Sequence, residues 1–430
     1  MTPSGVDVGR RMHERAAELY PTCRSITGDG VRQTLARIAS EIPLQIEEVP
    51  TGTPVLDWTV PKEWNIREAW IADARGERLI DFARNNLHVV GYSVPVRRRV
   101  SIEELKQHVF TLPEHPDWIP YRTSYYNETW GFCLSQSQLD RLTDTEYEVC
   151  IDSTLEDGHL TYAECLVQGE REDEVLISCH VCHPSLANDN LSGITIATEA
   201  AKTLLAAPQR YSYRFLFLPV TIGAITWLAR NEQRLERIRH GLVLTGLGDP
   251  GQITYKRSRR GDADVDRAVA HVLEQSGDAH ELQDFFPYGY DERQYCSPGF
   301  DLPVGCLMRT PHGRYPEYHT SADDLGFVGP EKLQDALNKV LAILSLLDRN
   351  RSYVNVSPKG EPQLGKRGLY DAIGGDRDRQ RSQLAMLWVL NQSDGSNSLL
   401  DIAERSGIPF DSIEATANIL RDHDLVEAAS

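Results

Sequence analysis

Two widely separated segments hold the residues with chemistry to offer. The first runs Cys179-His180-Val181-Cys182-His183-Pro184-Ser185-Leu186-Ala187-Asn188-Asp189-Asn190-Leu191-Ser192-Gly193. Its two imidazoles and its carboxylate are nitrogen and oxygen donors of the kind a divalent ion such as zinc takes. The turn formers Asn188, Asn190, Ser192 and Gly193 suit a sharp bend that presents Asp189 where a helix begins. A polar turn with a helix-capping Asp or Ser would use the same residues for structure alone. The second segment, Tyr315-Pro316-Glu317-Tyr318-His319-Thr320-Ser321-Ala322-Asp323-Asp324-Leu325, sets one histidine among aromatics and carboxylates. A His capped by Asp323 or Asp324 is the structural alternative, and it is the pairing with the upstream segment that argues for a metal. A third stretch, Tyr255-Lys256-Arg257-Ser258-Arg259-Arg260-Gly261, is basic in an acidic chain. Arg259 and Arg260 could grip a substrate carboxylate or phosphate, or they are a solvated charge run.

Both histidine segments follow an apolar run and precede a helical pattern, the place where sites form in an open α/β sheet. Glu174–Ser178, Tyr213–Pro219, Gly241–Thr245 and Leu302–Leu307 read as strands, while Ile194–Ala206 and Lys332–Leu347 read as helices. This alternation predicts an α/β core with a mainly parallel, mixed sheet between helices. Residues 9–41 read as helical around a turn at Thr27-Gly28-Asp29-Gly30. Residues 51–149 are rich in aromatics, prolines and short β-like runs such as Leu87–Tyr92, and predict a small β-rich domain inserted into a catalytic domain made of 1–50 plus 150–350. Trp58, Trp64 and Trp130 are expected to give that insert its own core. A linker after Asn350 leads to residues 355–430, three short helices resembling a winged helix-turn-helix.

These motifs resemble a family. A His, then Asp-Asn-x-Ser-Gly, then Tyr-His-Thr-x-x-Asp is similar to the co-catalytic zinc aminopeptidases. More closely, the chain resembles a bacterial aminopeptidase-like family with a β-rich insert and a C-terminal winged helix. Cys23–Gly28, Asp57–Ile66, Cys182–Leu186 and Asp291–Gly299 carry that closer match, which covers nearly the whole chain. The resemblance implies His180, Asp189 and His319 as ligands of Zn2+, one ion or two. His183 has no counterpart in the pattern, and either replaces His180 or binds substrate. Cys182 stands where relatives carry an Asp, and Pro219-Val220-Thr221 stands where they carry a Glu-Glu pair. A further Asp ligand is expected near Thr245 or Gly246, with Asp249 slightly late. The general base therefore falls to Glu317, Asp291 or Glu292. Glu317 is favoured because, two residues from His319 in an extended segment, it would point the same way. Arg293 and Tyr318 are further candidate substrate contacts, although Arg293 could simply pair with Asp291 or Glu292.

The expected function is a zinc-dependent hydrolase cutting a peptide or amide bond of a small substrate; the alternative is a catalytically weakened relative that binds a peptide or metabolite. The formal charge of −18 over 430 residues opposes nucleic-acid or anionic-membrane binding. The helical unit after residue 350 is itself acidic, and Phe410–Leu420 carries Asp411 and Glu414 but no basic residue. It is read as a packing or dimerisation domain, with a homo-oligomer left open, and not as a DNA reader. No apolar run approaches the roughly 20 residues of a membrane helix, the start lacks a secretory pattern, and the eight cysteines are dispersed apart from Cys179-x-x-Cys182. Together these predict a cytoplasmic protein without a disulfide framework.

Overall fold

A computed structural model describes residues 5–369 and 377–429. It divides into two compact units, residues 1–266 with 278–341, and residues 267–277 with 342–430.

The first unit is built on an eight-stranded sheet. In chain order its strands are β1 (Gln45–Pro50), β2 (His159–Val167), β3 (Glu174–His180), β4 (Ser212–Leu218), β5 (Ile238–Leu244), β6 (Ile253–Lys256), β7 (His280–Gln283) and β8 (Val304–Met308). Their spatial order is β1-β2-β4-β3-β5-β8-β6-β7. The centre, β4-β3-β5-β8, is parallel throughout, while β1-β2, β2-β4 and β8-β6 are antiparallel. The sheet is thus mixed with a parallel centre, and β3 and β4 are buried at every position. Burial on both faces explains why they read as unbroken apolar runs without alternation.

Helices α1 (Gly5–Leu19), α2 (Asp29–Ala39), α3 (Gly193–Leu205) and α4 (Ile222–Asn231) belong to the same unit. Gly193 starts α3 at a point of close approach: a Cβ there would lie 2.4 Å from Asn190 Oδ1 and 2.5 Å from the Leu244 carbonyl oxygen. The helix entrance can therefore press against the end of β5 only if that position is glycine. The basic run Tyr255–Gly261 begins inside β6, and Lys256 is buried.

Within residues 51–149 lie three strands of a four-stranded antiparallel sheet, Glu63–Ala72, Arg78–Asp81 and Val96–Ser101; the fourth is Glu146–Glu156. The insert does not have a core to itself. Trp64, Ile71, Tyr92 and Val149 join Leu176, Leu216 and Trp227 in one hydrophobic cluster. Trp64 stacks on Tyr92 with centroids 5.9 Å apart and donates its indole N–H to the Ser93 carbonyl. Thr27 Oγ1 meets both the Trp64 amide and the Tyr92 hydroxyl. Trp58 is about half exposed and lines a cavity, and Trp130 only flanks the cluster. Leu87–Tyr92 forms a 3-10 turn with isolated bridges, not a strand.

In the second unit, helices Arg377–Gln392, Leu399–Ser406 and Phe410–Asp422 accompany a three-stranded sheet of Ser352–Asn355, Asp394–Ser398 and Val426–Ala428. Ser398 and Asp401 form a capping box on the middle helix. Among the described residues no helix is long and apolar enough to cross a membrane.

Candidate metal centre and active site

β3 ends at His180, and the chain then turns through residues 181–192 before α3 begins. His180 Nε2 lies 2.7 Å from Asp189 Oδ1, and His319 Nε2 lies 3.0 Å from Asp189 Oδ2. His183 Nε2 is 3.9 Å from the latter oxygen. One donor atom each from His180, His183 and Asp189 falls within 4.8 Å of the others. Zinc with bonds of roughly 2.0–2.1 Å to each donor holds tetrahedral ligands about 3.3 Å apart; the separations here bracket that value, so the donors could close on such an ion with small shifts. All three are buried. Burial, opposed by the charge of Asp189, pulls the His183 pKa down to about 3; the ring is neutral at physiological pH, as a metal ligand must be.

Other residues fix this cluster. Asp323 accepts hydrogen bonds from the backbone amides of Asn188 (2.5 Å) and Asp189 (3.0 Å), and its own carbonyl accepts from Ala187. Asn190 Oδ1 accepts from the Gly193 and Gly246 amides while its Nδ2 donates to the Leu244 carbonyl. Arg24, buried, donates to the carbonyls of His183 (2.7 Å) and Pro184 (3.2 Å). Tyr290 stacks on His180 and Tyr318 on His319. Tyr121 sets its ring edge-on to both His183 and His319, and its amide donates to the His319 carbonyl at 2.7 Å. His319 has φ +57°, a left-handed conformation uncommon outside glycine.

The other expectations fare differently. Residues 312–319 form turns, so the extended geometry used to aim Glu317 beside His319 does not exist. Glu317 is half-buried. Glu292 is fully buried and ion-paired with Lys256, not with Arg293. Asp291 is also fully buried, without a hydrogen-bond partner. Burial, with neighbouring Glu292, pushes its carboxyl pKa well above the usual carboxylate range. Arg259 and Arg260 are spent on Asp301, at 2.9 and 3.2 Å. Asp249, the late carboxylate, is bound by Thr310, Asn188 and Gly251. All eight cysteines are free, and the Cys182 sulfur accepts the Val220 amide at 3.3 Å.

A cavity of about 270 Å³ opens beside the cluster. His183 and His319 line it, with Val220 and Thr221 from the β4 end, Tyr290, Arg293, His312 and Tyr318 from the later loops, and Trp58, Tyr125 and Tyr126 from the insert. Arg259 and Arg260 do not. Sequence reasoning missed Asp323 as a positioning residue, Arg24, Tyr121 and His312. Arg24 and Asp323 stood inside motifs already singled out, whereas nothing in the local sequence marked Tyr121 or His312.

Residues 13–350 match a family described as a domain of unknown function, DUF4910. The chain belongs to the DUF4910 family. Residues 351–428 match a winged helix-turn-helix family, so a winged helix domain follows the DUF4910 domain. A Clostridium acetobutylicum relative, 52% identical over 96% of this chain and 95% of its own, is described as a candidate polysaccharide biosynthesis protein with an aminopeptidase-like domain. A crystal structure of a candidate peptidase from the same organism superposes with a TM-score of 0.94 at 49% identity, covering 99% of this chain and 97% of that one. A zinc aminopeptidase from Bacillus subtilis aligns at TM-score 0.58 and 14% identity over 78% of this chain and 94% of its own. At that identity the likeness shows the fold: this DUF4910 protein has the mixed α/β fold of the aminopeptidases.

Proposed function

We propose that this chain is a zinc-dependent hydrolase that cuts a peptide or amide bond of a small substrate. The observation that carries the reading is the convergence of His180, His183, Asp189 and His319 at a cavity walled by aromatic rings. Zinc held there supplies Lewis acidity toward a carbonyl and lowers the pKa of water. The rest falls to the chain. Asp189 places one oxygen toward His180 and the other toward His319; Asp323 and Arg24 hold the backbone that presents Asp189 and His183; Tyr318 and Tyr290 fix the imidazole planes. Of the three carboxylates considered as base, Asp291 is sealed from solvent and Glu292 is bound to Lys256. That leaves Glu317 on the His319 loop, to which the proton is assigned by elimination alone, since its side chain does not line the cavity. Thr245 and Val220 bring no carboxylate and that of Asp249 is already hydrogen-bonded, which favours one ion.

The test is metal analysis of protein purified without chelator, alongside hydrolysis of aminoacyl, N-acyl and dipeptide substrates. About one zinc per chain with turnover abolished by chelation and restored by zinc supports the reading. Zinc without any turnover favours the second one, a binding relative, which Val220 in place of a Glu motivates. The C-terminal winged helix is proposed to pack or dimerise and not to read DNA, since Asp411 and Glu414 of its Phe410–Asp422 helix already pair with Arg349.

A further inference from the structure

The charges facing the cavity do not suit an aminopeptidase substrate. A free α-ammonium group needs a carboxylate to replace its lost hydration. Among the described residues no Asp or Glu lines the cavity, and the Asp189 carboxylate is fully buried and engaged by imidazoles. The one formal cation in the wall is Arg293. It has no ion pair among the described residues, unlike Lys256, Arg259 and Arg260. Its Nε is buried without a hydrogen-bond partner, and its guanidinium sits 5.7 Å from the centroid of Tyr288. Tyr288 is 59% exposed, Tyr126 49% and Trp58 47%, and all three line the same cavity. Aromatic faces attract ammonium weakly when exposed, but here the guanidinium opposes them. A planar guanidinium with free donors is suited to a carboxylate or phosphate.

We propose that the cavity takes an amide whose non-reacting end carries an anionic group, held by Arg293, with the body of the substrate laid against Tyr288, Tyr126 and Trp58. The amide rests on the hydrolase reading above; the anionic end rests on Arg293 and the absence of carboxylates from the wall. Arg293 thereby sets specificity, and the site excludes substrates defined by a free α-amine.

The experiment uses the full chain loaded with zinc and four probes: N-acetyl-L-phenylalanine, its methyl ester, L-phenylalanine amide and phenyl phosphate. Binding is followed by tryptophan fluorescence and calorimetry, and turnover of the three amides separately. N-acetylphenylalanine should bind about tenfold or more tightly than its ester, the scale of a charged hydrogen bond, and the amine-bearing amide should bind weakest. Arg293→Met should erase the acid-over-ester preference with zinc content unchanged, and Arg293→Lys should restore part of it. Phenyl phosphate binding more tightly than the carboxylate would support the proposal and assign the anion as phosphate. Equal binding of acid and ester, preferred binding of the amine-bearing amide, or an unchanged preference in Arg293→Met would each overturn it. An Arg293-dependent acid preference with no turnover of any amide would support the anionic site while removing the hydrolase reading.

Discussion

β3 and β4 lie side by side in parallel, and the residues beyond their carboxyl ends face the same cavity, yet one end gathers groups that could bind a metal and its neighbour does not. Beyond β3, His180, His183 and Asp189 come within donor distance of one another. Beyond β4, Val220 and Thr221 line the cavity with neither carboxylate nor imidazole, and the Val220 amide is given to the Cys182 sulfur. The comparison teaches that a strand end is only a place for a site. What makes β3's end a candidate centre is a turn fixed on both sides, by Asp323 below and Asn190 against β5. β4's end has no such polar scaffold, and no ligand.

The largest effect should come from breaking the β3 side. Asp189→Ala combined with His319→Ala should reduce zinc from about one per chain to none and turnover to background; metal analysis checks it, and stoichiometric zinc in the double variant would refute the ligand set. Next is Glu317→Gln, expected to slow turnover about 10²–10⁴-fold while zinc stays bound. Normal turnover in that variant would move the proton to His312 or Tyr318 of the cavity wall. Asp323→Ala leaves every ligand in place and loosens only the turn, so zinc affinity should fall about 10–100-fold, read by competition with a chelator. Val220→Glu sharpens the comparison from the other side: in an active hydrolase it should not raise turnover, whereas turnover created where the natural chain has none would make that chain a binding relative.

The smallest effect concerns His240 on β5, whose imidazole is buried against Tyr211. Burial lowers its pKa from 6.5 to about 4. The folded ring stays neutral where the unfolded ring takes up a proton, so this contribution to stability is intact above pH 6.5 and drains away as pH falls toward 4. The slope is at most about 1.4 kcal/mol per pH unit. His240→Gln should flatten the decline in unfolding midpoint across that window, and an unchanged pH profile would remove His240 as its cause.

The same contrast explains what could be read in the sequence. The central strands were legible because burial on both faces leaves continuous apolar runs, and the ligand candidates because imidazoles next to turn formers follow a strand. The winged helix was legible from three short helical segments after residue 355. The longest antiparallel pairing in the insert, Glu63–Ala72 with Glu146–Glu156, joins strands far apart in sequence, and no local pattern announces it. The arginines mark the limit most clearly. Arg259-Arg260 looks like a binding patch, but Asp301 neutralises it; Arg293 sits beside two acids in sequence, yet neither pairs with it. Which charge is free depends on partners that only the fold brings near. The bias toward Glu317 failed in its geometry for a related reason, since alternation holds in a strand and not across consecutive turns.

The contact between the insert and the His319 loop has a consequence for assembly. Ile119 and Ser321 exchange hydrogen bonds across 202 residues, and Tyr121 holds the His319 carbonyl. Contacts of such sequence separation carry a large loop-closure cost and form late in folding. The His319 side of the centre therefore cannot be organised in a nascent chain until the insert has folded and met a segment synthesised long after it. A metal ion that needs His319 would then act as a checkpoint on completed folding, captured stably only by chains whose two distant halves have closed.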